Sequence, residues 1–179
     1  MRFAVQATAA IASAVLLASC GGGGGAPTQS ATVTPAVIAS PVMISAAAYV
    51  AAASSIDLFE MKSAELALQR AQDPANRAFA RQVLSAHQGT SAQLSYAGRR
   101  LNLLPSGALS AEHQAMLDAL GAAGDFDSTY RAQQGIVVAE GVQLHAGYAR
   151  SGDSPTLRPV AANAENVMRA NLQALRSGR

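Results

Sequence analysis

Few side chains in these 179 residues could do chemistry: three histidines, one cysteine and eleven carboxylates. Glu60 stands four residues after Ile56 and one after Phe59. His87 falls four after Val83 and beside Ala86, and Asn171 falls three after Met168. On helices that turn all three inward, a carboxylate, an imidazole and an amide would meet in one interior. An isolated buried charge costs several kcal/mol, so a carboxylate placed there needs a partner. The residues favour a hydrogen-bonded polar centre of Glu60, His87 and Asn171 that fixes helix register. One alternative makes Glu60 and His87 weak ligands of a divalent metal, with water in the open positions; another leaves the side chains in solvent. Two protein ligands fall short of the three or four usual in zinc sites.

The remaining candidates read more plainly. His113 lies in the first turn of a short helix, where the dipole disfavours imidazolium, and reads as a surface residue. His145 is one residue past Leu144 and flanks a seam. Glu140 and His145 are spaced i, i+5, which does not put them on one helix face. No glycine-framed serine marks a nucleophile elbow, so no hydrolase triad is expected and no catalytic residue is assigned. The glycine run Gly21–Gly25 lacks the Lys-Ser/Thr of a phosphate loop. Tyr130 and Tyr148 read as core aromatics with their hydroxyls at the rim.

Cys20 is the exception, because its position explains it. Residues 1–20 read MRFAVQATAAIASAVLLASC, one positive charge ahead of an apolar stretch that ends in small side chains. That is the layout of a signal peptide. Gln6, Thr8 and Ser13 interrupt the stretch, and a membrane-spanning helix needs about 20 apolar residues, so an uncleaved anchor is the weaker reading. Leu17-Ala18-Ser19-Cys20 resembles the bacterial lipobox. The thiolate takes a diacylglycerol, and the small residues let a peptidase reach the bond before it. Two or three acyl chains, palmitate among them, hold a protein on a membrane where one chain would not. Gly21 after the cysteine resembles the sorting pattern for the outer membrane, with the domain facing the periplasm. Residues 1–19 are therefore expected to be removed, and 20–45, with five consecutive glycines and three prolines, to form a flexible tether.

Loss of Arg2 with the leader leaves twelve basic residues against eleven acidic. Lys62 is the only lysine, and Arg99–Arg100, the densest basic patch, reads as a solvated helix end. No basic stripe suits nucleic acid. A single cysteine excludes an internal disulfide. The expected partner is the membrane, through the acylated terminus; no protein partner is specified. Aromatic residues make up only 4% of the chain and Trp is absent, while alanine is abundant. Such a core must be built from small side chains on close-packed helices.

The elements that would position these residues follow from caps and periodicity over 46–177. Ile56, Phe59, Ser63 and Leu66 mark a first helix from about Ala46 to Ala71. Asp73-Pro74 ends it and starts a second, reaching about Leu101, with its seam at Phe79, Val83, Ala86, Thr90, Leu94, Ala97 and Leu101. Ser110 caps a short helix to about Leu120. Asp125 caps a third long one with its seam at Phe126, Tyr130, Gln133, Val137, Gly141, Leu144 and Tyr148. Ser154-Pro155 repeats the cap-then-proline signal before Leu157, Val160, Ala164, Met168, Asn171 and Leu175. Gly135, Gly141 and Gly147 each cost up to about 1 kcal/mol in a helix, and Gly141, in the seam, is the best candidate for close packing by a neighbouring helix. The expected fold is all-α: a ferritin-like four-helix bundle with an extra short helix between the second and third long helices.

The segments IDLFEMKSAELALQRAQDP, FARQVLSAHQGTSAQLSYAGRRLNLLP, LSAEHQAMLDAL and DFDSTYRAQQ resemble the domain-of-unknown-function 4142 family, exported bacterial proteins with a ferritin-like fold. The resemblance runs from Tyr49 to about Leu175. It implies a Glu in the first helix, Asp-His in the second, an acidic-His pair in the third and a His in the fourth. Glu60 and His87 match, whereas Ala86, Val138 and Asn171 replace the Asp and two of the histidines. Nor does the chain contain the Glu-x-x-His of di-iron bundles. The function expected is therefore a lipid-anchored envelope protein whose bundle binds or supports without catalysing, with no cofactor. The alternative is a metal-binding or oxidase-type bundle with a role in envelope stress.

Overall fold

The computed structural model describes residues 43–178; Cys20, the leader and most of the tether lie outside them. The helices are α1 (Ala46–Arg70), α2 (Pro74–Arg100), α3 (Ala111–Ala122), α4 (Phe126–Ser151) and α5 (Arg158–Ser177). No strand occurs among the described residues. Ser45, Asp73, Ser110 and Asp125 each accept a backbone N–H in the first turn of the helix they precede, and Pro74 opens α2. These short polar side chains satisfy donors that the helix itself leaves free.

The last helix begins later than Ser154-Pro155 suggests. Ser154 starts a turn in which its carbonyl accepts from Leu157 and Arg158, and α5 follows with Pro159 in its first turn and no side-chain cap. Proline is tolerated at either place for the same reason, a missing N–H that no helix turn needs.

Cross-helix contacts fix the topology. Tyr49, near the start of α1, meets His145 near the end of α4. Asp127 at the start of α4 reaches Gln72 beyond the end of α1. Asn163 on α5 bonds Gln93 on α2, and Asn171 bonds Gln82, so those two are also antiparallel. α2 and α4 consequently run the same way. The chain between them, 101–125 with α3, must travel back along the bundle, which is the ferritin-like crossover.

Apolar side chains fill three levels. Tyr49, Ala53, Leu94, Tyr148 and Leu157 occupy one end; Ile56, Phe59, Val137, Val138 and Met168 the middle; Ala64, Ala67, Phe79, Leu120, Phe126 and Tyr130 the other end. Every described aromatic residue except Tyr96 is buried. Alanine on facing helices lets the backbones approach closely enough for so few large side chains to fill the space.

Arg70 and Asp127 tie the crossover down. The Arg70 guanidinium donates to the carbonyls of Gly121 and Ala123 at the end of α3 and lies 4.8 Å over the Phe126 ring. Cations at a helix C-terminus and over an aromatic face are both favourable. The Asp127 carboxylate accepts from Gln72 N at 2.8 Å and from Asn76 Nδ2. These bonds hold its pKa below the usual carboxylate range, the Asn76 amide contributing most.

Gly141 is the close approach that its seam position suggests. A Cβ there would sit 2.5 Å from Met168 Cε and 2.8 Å from Sδ, and Met168 is itself fully buried. At Gly147 a Cβ would meet nothing. We predict that Gly147→Ala stabilises by up to about 1 kcal/mol through helix propensity. Gly141→Ala forfeits that gain to overpacking of about 1–3 kcal/mol. Thermal or urea unfolding of both variants checks the contrast: equal effects at the two sites would contradict it.

Candidate functional site: a polar layer inside the bundle

The layer is built around an aspartate that seam reading does not single out. Asp57, one turn before Glu60 on α1, is buried, and its Oδ1 lies 2.8 Å from His87 Nδ1 and 2.6 Å from Thr90 Oγ1. A carboxylate only accepts, so His87 Nδ1 and the threonine hydroxyl both donate to it. Across the ring, His87 Nε2 lies 3.2 Å from Asn171 Nδ2. The Asn171 carbonyl is taken by Gln82 Nε2 at 3.2 Å. Its amide therefore donates to a bare Nε2, which fixes His87 as the neutral Nδ1–H tautomer. The chain Gln82–Asn171–His87–Asp57–Thr90 thus spans α5, α2 and α1.

The structure brings His87 and Asn171 together, and Glu60 shares their interior without bonding to either. It is fully buried, and neither of its carboxyl oxygens has a hydrogen-bond partner. Burial pushes its pKa up to about 7, and the Gln134 amide beside it does not bond to it. Gln134 donates instead to Ser63 Oγ at 3.0 Å, leaving its own carbonyl oxygen without a partner. In its acid form Glu60 becomes a donor and removes one buried charge, which is why burial favours that form. Burial is the largest influence on the His87 pKa and lowers it, but the hydrogen bond to Asp57 and the charges of Glu60 and Asp57 together carry it above the ordinary imidazole value.

Three expectations change. His113 is buried, not superficial: its ring lies between Ser55 Oγ, 2.7 Å from Nδ1, and Glu140 Oε2, 3.2 Å from Nε2. The short helix packs its first turn against α1, and partners on two helices outweigh the small cost of imidazole at that terminus. The seams of α2 and α4 are displaced by one residue where His87 and His145 point inward in place of Ala86 and Leu144, which are only partly buried. His145 bonds the Tyr49 hydroxyl at 3.0 Å, and burial lowers its pKa to about 4. The Tyr130 hydroxyl is buried without a partner, away from the rim where it was expected, whereas Tyr148 donates to Asp153 at 2.8 Å.

A metal at the bundle centre does not fit this donor set. Both ring nitrogens of His87 are engaged, Asn171 stands where the resemblance implies a histidine, and Val138 offers no donor. Among the described residues no group of three or more His, Cys, Asp or Glu is arranged to hold an ion.

Fold and site together define a ferritin-like helical bundle with a hydrogen-bonded polar layer in place of a clustered set of metal ligands. The chain belongs to the DUF4142 family, a domain of unknown function, whose model matches residues 31–177. No curated protein matches it. Among solved structures it is similar to "CopM in the Cu(II)-bound form", with a TM-score of 0.64 at 16% identity, covering 75% of this chain and 95% of that one. At that identity the likeness speaks to the fold alone.

The raised Glu60 pKa gives a sign. A carboxyl whose folded pKa exceeds its unfolded value binds protons more tightly when folded. Its contribution to stability is present below about pH 4.5, declines as pH rises, and is gone above about pH 7. The span corresponds to roughly 3 kcal/mol. Glu60→Gln keeps the shape and removes the titration, so the difference in unfolding free energy between variant and parent should grow in the variant's favour from pH 5 to pH 8. A difference independent of pH would show that Glu60 does not carry a displaced proton.

Proposed function

We propose that this protein is a lipid-anchored component of the bacterial envelope whose bundle serves as a binding or structural module and not as a reaction centre. The single supporting observation inside the domain is the engagement of both His87 nitrogens, by Asp57 and by Asn171. An imidazole so held has neither a lone pair for a metal nor a free proton position for general acid–base work. The polar layer instead selects one register of α1, α2 and α5, since sliding any of them would leave buried donors unpaired. The address is supported by the lipobox-like LASC, with Cys20 the only cysteine in the chain. Among the described residues no helix is long and apolar enough to cross a membrane. Attachment to an outer membrane, with the domain in the periplasm, is accordingly assigned to the acylated terminus.

Expression with labelled palmitate in a bacterial host tests the anchor. Label should enter the protein and the parent should fractionate with membranes, while Cys20→Ala abolishes both. Label retained in Cys20→Ala, or a parent that is wholly soluble after cleavage, would refute the anchoring.

A second reading, a metal-binding module with a role in envelope stress, is favoured by one specific observation, the Cu(II)-bound form of the solved structure that shares the fold. The bundle centre lacks the donors for it.

A further inference from the structure

The start of α1, the ends of α2 and α4 and the start of α5 lie together at one end of the bundle. Four of the five large apolar side chains exposed among the described residues, Met43, Ile44, Tyr96 and Leu104, belong to this end; Ile136, midway along α4, is the fifth. Ile44 shares a small recess with Gly147 and Ser151 at the end of α4, and Leu104 shares one with Ala47 of α1. Tyr96 stands at an apolar groove of about 410 Å³ between the last turns of α2 and the turn that leads into α5, with Ala97, Arg100, Thr156 and Val160. Scattered exposed apolar side chains are ordinary, whereas their concentration on one surface marks an interaction.

Arginines crowd the same end. Arg99 and Arg100 close α2, Arg150 lies in the last turn of α4 and Arg158 opens α5. All four are exposed, and none is in an ion pair among the described residues. Asp153 is the one exposed carboxylate in these termini and the turns that join them, and it accepts from the Tyr148 hydroxyl. A helix C-terminus favours cations, which accounts for Arg99, Arg100 and Arg150 but not for Arg158, in the first turn of α5, where the dipole opposes it. The far end, by contrast, exposes Asp73, Asp118 and Asp125 beside Arg176.

We propose that this basic, apolar end of the bundle docks on an anionic phospholipid surface, with its guanidinium groups on lipid phosphates and Tyr96 and Leu104 entering the headgroup region. The proposal rests on the reading of the protein as lipid-anchored and says how its domain meets the bilayer. The point at which the chain enters the domain favours this occupant: Met43 belongs to the same end, and Cys20 lies about two dozen residues before it. Acylation there holds the bundle near the surface at an effective concentration on the order of millimolar, so a contact too weak to form from solution becomes populated. Arginines attract anionic headgroups, and a tyrosine, with an apolar ring and a polar hydroxyl, suits the interface. Docking of this end turns the acidic far end away from the bilayer.

The chain has no Trp, so a single introduced tryptophan reports its own surroundings. The full acylated chain carrying Tyr96→Trp, Leu104→Trp or Ile136→Trp is placed in vesicles of phosphatidylethanolamine and phosphatidylglycerol at roughly 3:1, with brominated lipid as quencher. Fluorescence from positions 96 and 104 should be blue-shifted and quenched, and that from position 136 should be neither. Vesicles of phosphatidylcholine alone, or raised salt, should relieve the quenching. Arg99→Gln, Arg100→Gln and Arg158→Gln together should lower the ratio of docked to undocked protein at least about 10-fold. Leu104→Trp keeps the test decisive if Tyr96→Trp disturbs the groove. Equal quenching at 96, 104 and 136, its absence at 96 and 104, or indifference to the arginines would each overturn the docking. Absent quenching in a chain that incorporates palmitate removes the docking and spares the anchor. A chain that takes no palmitate removes the anchor, and quenching on added anionic vesicles still decides the docking.

Discussion

The hydrogen bond from His87 to Asp57 is the constraint around which the bundle is organised. A carboxylate at that depth is tolerable only with donors aimed at it, and His87 and Thr90, three residues apart on one turn of α2, supply two. Once α2 is locked to α1 this way, the far nitrogen of His87 requires a donor of its own. Asn171 on α5 provides it and is in turn held by Gln82. A row of buried polar groups thereby fixes the relative height of three helices. Apolar contacts built mostly from alanine could not do so alone, because a small-residue surface is nearly smooth along the helix axis. Buried polar groups of this kind add specificity more readily than stability.

Glu60 is the exception within that layer, and its lack of a hydrogen-bond partner gives it a different character from Asp57. Asp57 is compensated by two donors; Glu60 has none and is compensated by a proton. The two carboxyls lie one turn apart on the same helix, yet their surroundings push them to opposite solutions. Their difference is one of donors within reach: His87 and Thr90 face Asp57, and none faces Glu60.

Outside the layer, the crossover is held by polar clasps more than by hydrophobic area, since α3 buries only His113 and Leu120. Arg70 secures its far end, and Ser55 with Glu140 its near end. The bundle thus has a firm four-helix body and a lightly packed flank.

Much of this was legible in the residues. The caps at Asp73, Ser110 and Asp125, the close packing at Gly141 and the place of Asn171 in the last seam follow from spacing and side-chain chemistry. The family resemblance and the fold agree with the structure. Asp57 was not legible, because an aspartate beside isoleucine and leucine reads as one polar break in an apolar run, and its partner is thirty residues away. His113 was misjudged for a related reason. Its position in a first turn is local, whereas its burial depends on α1 and α4 arriving from elsewhere. The seams of α2 and α4 lie one residue from where spacing puts them, because Ala86 and Leu144 are the more apolar neighbours of His87 and His145.

The protonation and tautomer of His87 in the folded protein decide whether the polar layer is held together in this way. Nitrogen-15 NMR of the imidazoles at neutral pH measures both. The His87 ring should carry its proton on Nδ1, exchange it slowly with solvent, and accept from the Asn171 amide at Nε2. A ring protonated at Nε2 alone, or one that exchanges freely and shifts when metal is added, would contradict it.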